Sequence, residues 1–466
     1  MPVVIIVADG ARPDSIAGAM DRGLAPAMAR MRDEGGLHTV TSVFPSVTGP
    51  AYAPFVMGRY PGPVGLPGLR WYDRERRTSR MPGNSRSYVG PQMRLVDADL
   101  DPDAPTMFEL AGSSIAALNM IGRGLGAGDR IGRGLSFTAR AARTHFSGNV
   151  EGWLAIDRDI AREVTDRIRT SSPDFTFAAL TGIDKTSHSG GHASSYVDMA
   201  MQIVDETVAE IRHDAEKANT WESMYLWVVS DHGHSSVTAH EDLDGFIRGL
   251  GFRTIAHPFV YSLRGEVAVM VSGNAMAHIY LDLQRRERPW LAQLDGRWVE
   301  LREAVLARDS VDLMILPAAP GSCEVHGHGR GRALMRWSDG LVSYEPDTGD
   351  PLGVGPQREI SETEAYEATS DSDYPDSLVQ ISRLSDSPRS GEVILSAARE
   401  WDFRARYEPI PHTSSHGALH REHMLVPLLM NRPPVTEPRR TVDVMPSACR
   451  ALGIRIPAGV DGVSFV

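Results

Sequence analysis

The chain repeats one pattern, a short unbroken apolar run that ends on a polar or acidic residue. Val3–Ala8 runs into Asp9, Phe175–Thr181 into Gly182-Ile183-Asp184, and Tyr225–Ser230 into Asp231. Ser114–Ile121 runs into the glycine-rich GRGLGAG, and Met424–Met430 is a further run of the same kind. Unbroken runs of this length suit strands buried on both faces, as in a parallel sheet covered by helices. Between them the spacing turns helical. Met199, Ala200, Ile203, Val204, Val208 and Ile211 recur at helical intervals within Tyr196–Ile211, and Pro26–Glu34 stops at Gly35-Gly36. This alternation predicts an α/β fold with a doubly wound, mostly parallel sheet.

From about Leu243 to Asp402 the texture changes. Short strand-like pieces (Gly265–Val271, Ala277–Leu281, Val311–Leu316) are separated by glycine, proline and charge, and none carries a catalytic motif. Glu345–Gly355 and Ser361–Ser377 read as acidic, turn-rich stretches. Glu392–Ala397 looks like a strand that returns the chain to the core. The predicted organisation is a catalytic core in two parts, residues 1–242 and 403–466, interrupted by an inserted α+β cap subdomain with long loops, residues 243–402.

Composition narrows the classes. With 466 residues, 42% of them hydrophobic and 23% charged, the chain can bury a large core and is not disordered. The balance of 48 basic and 60 acidic side chains, net −12, argues against a nucleic-acid binder. No apolar stretch approaches the ~20 residues of a membrane span, and the N-terminus reads as a strand with no signal-peptide features. The expected compartment is the cytoplasm, with no nucleic-acid or membrane partner. A homodimer stays open as the assembly. Cys323 and Cys449 are too few for a disulfide framework or a cysteine-rich zinc site.

In a doubly wound sheet, ligands bind beyond the carboxyl ends of the strands, and three runs deliver an Asp to that rim. Collected by strand end, the candidate ligands are Asp9, Asp184 and His188 of DKTSH, Asp231 and His232 of SDHGH, and His416 of HTSSHGALHREHM. These three carboxylates and three imidazoles suffice for two metal ions with open positions. The mixed oxygen and nitrogen donors favour Zn²⁺, with Mn²⁺ or Fe as alternatives. A metal pair roughly 4 Å apart can clamp both the attacking and the leaving oxygen of an in-line displacement. A nucleophile is supplied by FPSVTGPAYAPF. Thr48 precedes Gly49-Pro50 at the predicted start of a helix, where the positive end of the dipole favours an alkoxide. Alone, Thr48 would read as a helix cap. His192, His234, His412, His420 and His423 are read as neighbours rather than ligands, with His234 and His412 the nearest rivals. GRGLGAG lacks dinucleotide-loop spacing and reads as a turn at the rim; Arg123, and after it Arg130 and Arg133, are candidates to reach a substrate anion from it. Tyr52, Tyr72 and Trp71 are candidates to line the pocket.

In this order the motifs resemble the alkaline phosphatase superfamily, most closely its type I phosphodiesterase/nucleotide pyrophosphatase branch. The resemblance covers about residues 1–240 and 390–466, including the ending RTVDVMPSACRALGIRIPAGVDGVSF, and touches the middle only in VSGNAMAHIYL. It implies that one zinc is held by Asp9, Thr48, Asp231 and His232, and the other by Asp184, His188 and His416. Two departures stand out. Gly49 follows the nucleophile where nucleotide pyrophosphatases usually place a base-stacking aromatic, and Gly65–Asp73 holds no Asn where that branch uses one to bind a phosphoryl oxygen. Thr48-Gly49-Pro50 cannot form the formylglycine of sulfatases, the phosphoglycerate mutase branch normally uses Ser, and membrane phosphoethanolamine transferases need spanning helices. The resulting expectation is a two-metal hydrolase of phosphoric esters, most of all small-molecule phosphodiesters, acting through a phospho-threonine. A phosphonoacetate-type phosphonate hydrolase or a phosphomonoesterase is the alternative, and a phosphate-moving isomerase resembling phosphopentomutase is a further one.

Overall fold

The computed structural model describes residues 1–75, 84–256, 260–261, 264–404 and 412–466, so residues 405–411 of the last core segment lie outside the described residues. Its centre is a seven-stranded sheet in the order Leu37–Thr41, Leu425–Met430, Tyr225–Val229, Val3–Ala8, Phe175–Leu180, Ser114–Ala117, Arg130–Ile131. Every neighbouring pair is parallel except those made by Leu425–Met430, which runs against both of its neighbours. The unbroken apolar runs follow from burial on two faces. Val3, Ile5 and Val7 pack on one side with Phe177, Tyr52, Phe55 and Met445, while Val4, Ile6 and Ala8 pack on the other with Ile203, Val204, Val208 and Ile211. The second side is covered by helices Val150–Ser171 and Ser195–Lys217; of the predicted stripe, only Met199 is exposed.

Register fixes the rim. Val3–Ala8 pairs residue for residue with Phe175–Leu180, and Val7 lies opposite Val229. Continued by two residues, the second register brings Asp9 level with Asp231. The Ser114–Ile121 run is strand only through Ala117, because Leu118 takes a positive φ of 49° and turns the chain.

The insertion builds a second sheet, ten-stranded among the described residues, whose strands lie between residues 254 and 397. The pieces read as turn-rich are more ordered than predicted. Leu341–Gly349 is a nine-residue strand paired with Gly331–Ser338. Ser361 opens helix Glu362–Thr369 through a capping box with Glu364, a Ser-x-x-Glu signal that satisfies two otherwise orphaned backbone donors. The insertion also shares the catalytic core, since Ala268, Met270 and Tyr280 belong to the apolar cluster of Tyr52 and Phe177. A small three-stranded sheet, Glu400–Asp402, Ser235–His240 and Ser414–Ser415, ties the returning chain to the segment after Asp231.

Candidate active site

Three strand ends and two loops deliver the site. Asp9 directly follows one central strand and Asp231 lies two residues beyond the end of its neighbour, and both are buried with His232. Thr48 lies in the turn before the short 3-10 turn Pro50–Tyr52 and helix Ala53–Met57. Its hydroxyl caps no backbone N–H there. Instead, Oγ1 stands 3.3 Å from Asp9 Oδ1 and 3.0 Å from His232 Nε2. His232 Nε2 is also 3.3 Å from Asp9 Oδ1 and 3.6 Å from Asp231 Oδ2.

Asp184 and His188 occupy one face of helix Gly182–Gly190, four residues apart, with His188 Nε2 3.1 Å from Asp184 Oδ1. The helix start is held from below by Asp157, which accepts the N–H groups of Thr181 (3.0 Å) and Gly182 (2.6 Å). His416 is set by the pairing of Ser414–Ser415 with Ser235–Ser236, and its Nε2 comes within 3.5 Å of Asp184 Oδ1. Its ring stacks on His232 at 3.6 Å, so the two groups of side chains adjoin. The insertion reaches this point too: Ala275 donates its N–H to the His416 carbonyl, and Ser415 Oγ donates to the Gly273 carbonyl.

Electrostatically the cluster is short of positive charge. Burial, reinforced by the Asp9 charge, pushes the Asp231 carboxyl up to about 8. Burial alone would lower His232, but Asp231 and Asp9 outweigh it and raise the imidazole to about 9. Asp184 is held well below the usual carboxylate range, because Lys185 and His188 overcome the cost of burying it. Lys185 Nζ sits 2.6 Å from Asp184 Oδ2.

The donor set fits divalent metal. Asp9 Oδ2 and Asp231 Oδ2 are buried oxygens with no hydrogen-bond donor, a costly condition that a cation relieves. Ligand atoms of Asp9, Asp231 and His232 lie within 4.8 Å of one another, and so do those of Asp184, His232, His234 and His416. The ring nitrogens opposite the cluster are engaged: His188 Nδ1 lies 2.9 Å from the Ser414 carbonyl, His416 Nδ1 3.0 Å from that of Ser46, and His232 Nδ1 3.1 Å from that of Gly233. Donation to a carbonyl leaves each Nε2 lone pair facing inward, the orientation a metal-binding imidazole needs.

The pocket candidates make no hydrogen bond to these groups among the described residues. Arg123 spends its guanidinium on Glu109 and the carbonyls of Asp101 and Ala104, so it braces its own loop rather than reaching for an anion. Arg130 and Arg133 likewise bond loop carbonyls. Tyr52 is fully buried edge-on to Phe177, Tyr72 packs on Tyr280, and Trp71 gives its N–H to Tyr88. All three rings are core, as their hydrophobic bulk favours. Lys185, Asp157 and His234 also stand against the Asp184 helix or carboxylate, outside the ligand set that the sequence pattern predicts. Lys185 offered a signal, as one of only two lysines in the chain and the residue next to Asp184.

A mostly parallel sheet with two adjoining carboxylate–imidazole groups at its carboxyl rim is an arrangement that could hold two divalent ions. Residues 3–326 match the model of the type I phosphodiesterase / nucleotide pyrophosphatase family, and the chain belongs to that family, whose members hydrolyse phosphoric esters. The fold is shared with phosphonoacetate hydrolase from Sinorhizobium meliloti 1021, solved with phosphonoformate (TM-score 0.59, 16% identity, covering 97% of this chain and 96% of that one). It is shared also with murine ectonucleotide pyrophosphatase / phosphodiesterase 5 (TM-score 0.57, 15% identity, 99% and 97% covered) and its human counterpart (0.55, 14%, 98% and 96%). No curated protein sequence matches the chain. Among the described residues, no helix is long and apolar enough to cross a membrane.

Proposed function

We propose that this chain is a two-metal phosphodiesterase that works through a phospho-threonine on Thr48. Asp9, Thr48, Asp231 and His232 would hold one divalent cation, and Asp184, His188 and His416 the other, with Zn²⁺ favoured by the mixed donors and Mn²⁺ or Fe as alternatives. When bound, the ions supply Lewis acidity to the attacking and leaving oxygens. The observation that carries this reading is the placement of Thr48. Its oxygen contacts Asp9 and His232 instead of capping the helix, and it is half-buried where Asp9, Asp231 and His232 are closed off, so it is open to an incoming ester. Thr48 Oγ1 forms the new P–O bond as the leaving oxygen departs on the opposite side. Water then cleaves the phospho-threonine in a second in-line displacement and restores the hydroxyl.

Selectivity follows from the next residue. Gly49 has a φ of +96°, and a Cβ there would lie 2.5 Å from Met120 Sδ and 3.5 Å from Leu69 Cδ2. An aromatic side chain has no room at this position. Base stacking contributes ~1–3 kcal/mol per base where it exists, so its loss should flatten any preference for nucleotide diesters over simple aryl diesters by roughly ten- to hundred-fold. The test is a panel of chromogenic diesters, monoesters, phosphonates and sulfates, run before and after chelation. Diesters should turn over fastest, chelation should abolish turnover, and Zn²⁺ or Mn²⁺ should restore it. Faster C–P cleavage would move the assignment to a phosphonate hydrolase, and full activity in metal-free protein would overturn it.

A further inference from the structure

We propose that His234 is a fourth protein ligand at the Asp184 metal position, joining Asp184, His188 and His416 and leaving a further coordination position for an ester oxygen. The inference rests on the two-metal reading and adds a residue to it. His234 Nε2 stands 2.9 Å from Asp184 Oδ1, closer than His188 (3.1 Å) or His416 (3.5 Å). The rings of His188, His234 and His416 neighbour one another at centroid separations of 5.0, 5.1 and 5.2 Å, and His234 and His416 share a group of mutually close ligand atoms with Asp184. Ligand atoms ~2.0–2.1 Å from a tetrahedral zinc stand about 3.3 Å apart, which the three oxygen–nitrogen edges bracket.

Hydrogen bonding decides which His234 nitrogen keeps its proton. The Ser414 hydroxyl donates its one hydrogen to the Ser235 carbonyl at 2.9 Å. Toward His234 Nδ1, 3.1 Å away, it can therefore only accept. In the neutral ring the proton stays on Nδ1, and the Nε2 lone pair faces a carboxylate oxygen at 2.9 Å, a repulsion that an ion bound to both atoms relieves. Ser414 orients two ligands at once, His188 through its carbonyl and His234 through its hydroxyl. The ring cannot swing away from this position. It is fully buried, and a Cβ on Gly10 would lie 2.9 Å from its Cδ2 and Nε2, so position 10 must be glycine for the imidazole to fit.

With four side-chain ligands that take no part in the attack, this position holds its ion more tightly than the Asp9 side, where Thr48 must stay available. Chelator competition against wild type and His234→Met, followed by metal counting, should show two ions in the wild type, one of them slow to leave. The variant should lose affinity at the slow site by more than the ~10–100-fold that removing an outer hydrogen-bond partner costs. Co²⁺ loaded to one equivalent in the wild type should show three imidazoles by X-ray absorption. This arm needs no variant, so a misfolded His234→Met does not weaken the test. Two ions with only two imidazoles around the first, or an affinity loss within 100-fold, would overturn the His234 assignment alone. A wild type that binds no metal would overturn this assignment together with the two-metal reading.

Discussion

At the scale of single residues, the site divides by how each side chain announces itself. Asp9, Asp184 and Asp231 are legible because each follows, within four residues, the end of an apolar central strand, at the rim where a doubly wound sheet binds its ligands. His234 is not legible in this way. SDHGH offers two imidazoles two residues apart, and only the three-dimensional approach to Asp184 separates a neighbour from a ligand. Thr48 lies between these cases, since spacing alone cannot tell a cap from a nucleophile. If it were only a cap, Thr48→Ala would cost ~1 kcal/mol of stability and little turnover. With its oxygen between Asp9 and His232, Thr48→Ala should instead leave a folded, largely metal-loaded protein with turnover near background. Thr48→Ser should keep part of the activity, because the attacking oxygen survives while the methyl that restricts its rotamer is lost. Steady-state kinetics with metal analysis on both variants decides this, and an active Thr48→Ala enzyme would return Thr48 to the role of cap.

At the scale of elements, the central strands were readable and the half-wet ones were not. Val3–Ala8 and Phe175–Leu180 are buried at every position, so their apolar runs are unbroken. Gly331–Ser338 and Leu341–Gly349 expose alternate residues, carry Arg, Asp and Glu, and contain a register shift at Arg332/Ala333, so their pattern resembles turns. One element contact has a measurable pH signature. Asp157 anchors the start of the helix that bears Asp184, and burial pushes its carboxyl up to about 7, against the pull of the two N–H groups it accepts. The folded state therefore keeps a proton that the unfolded chain, near 3.8, has already lost. Stability falls as pH rises between those values and is level above them. Asp157→Asn cannot ionise. Its melting temperature relative to wild type should climb from about pH 4 to pH 7 and then flatten, as read by calorimetry across that range. A difference that does not vary with pH would contradict the account of Asp157.

At the scale of the whole molecule, the α/β class followed from periodicity, but the contacts of residues 243–402 with the central sheet did not. Ala268, Met270 and Tyr280 of this segment pack into the same cluster as Tyr52 and Phe177, and its Gly273–Ala275 turn holds the His416 backbone. Contacts between distant segments leave no local pattern to read. What unites the molecule is the claim that Thr48 attacks phosphorus and water attacks second. The most direct measurement is the stereochemical course at phosphorus, using a diester made chiral with sulfur and oxygen isotopes. Two in-line displacements should give net retention of configuration. Inversion would mean that water attacks the ester in a single step and that Thr48 is never phosphorylated.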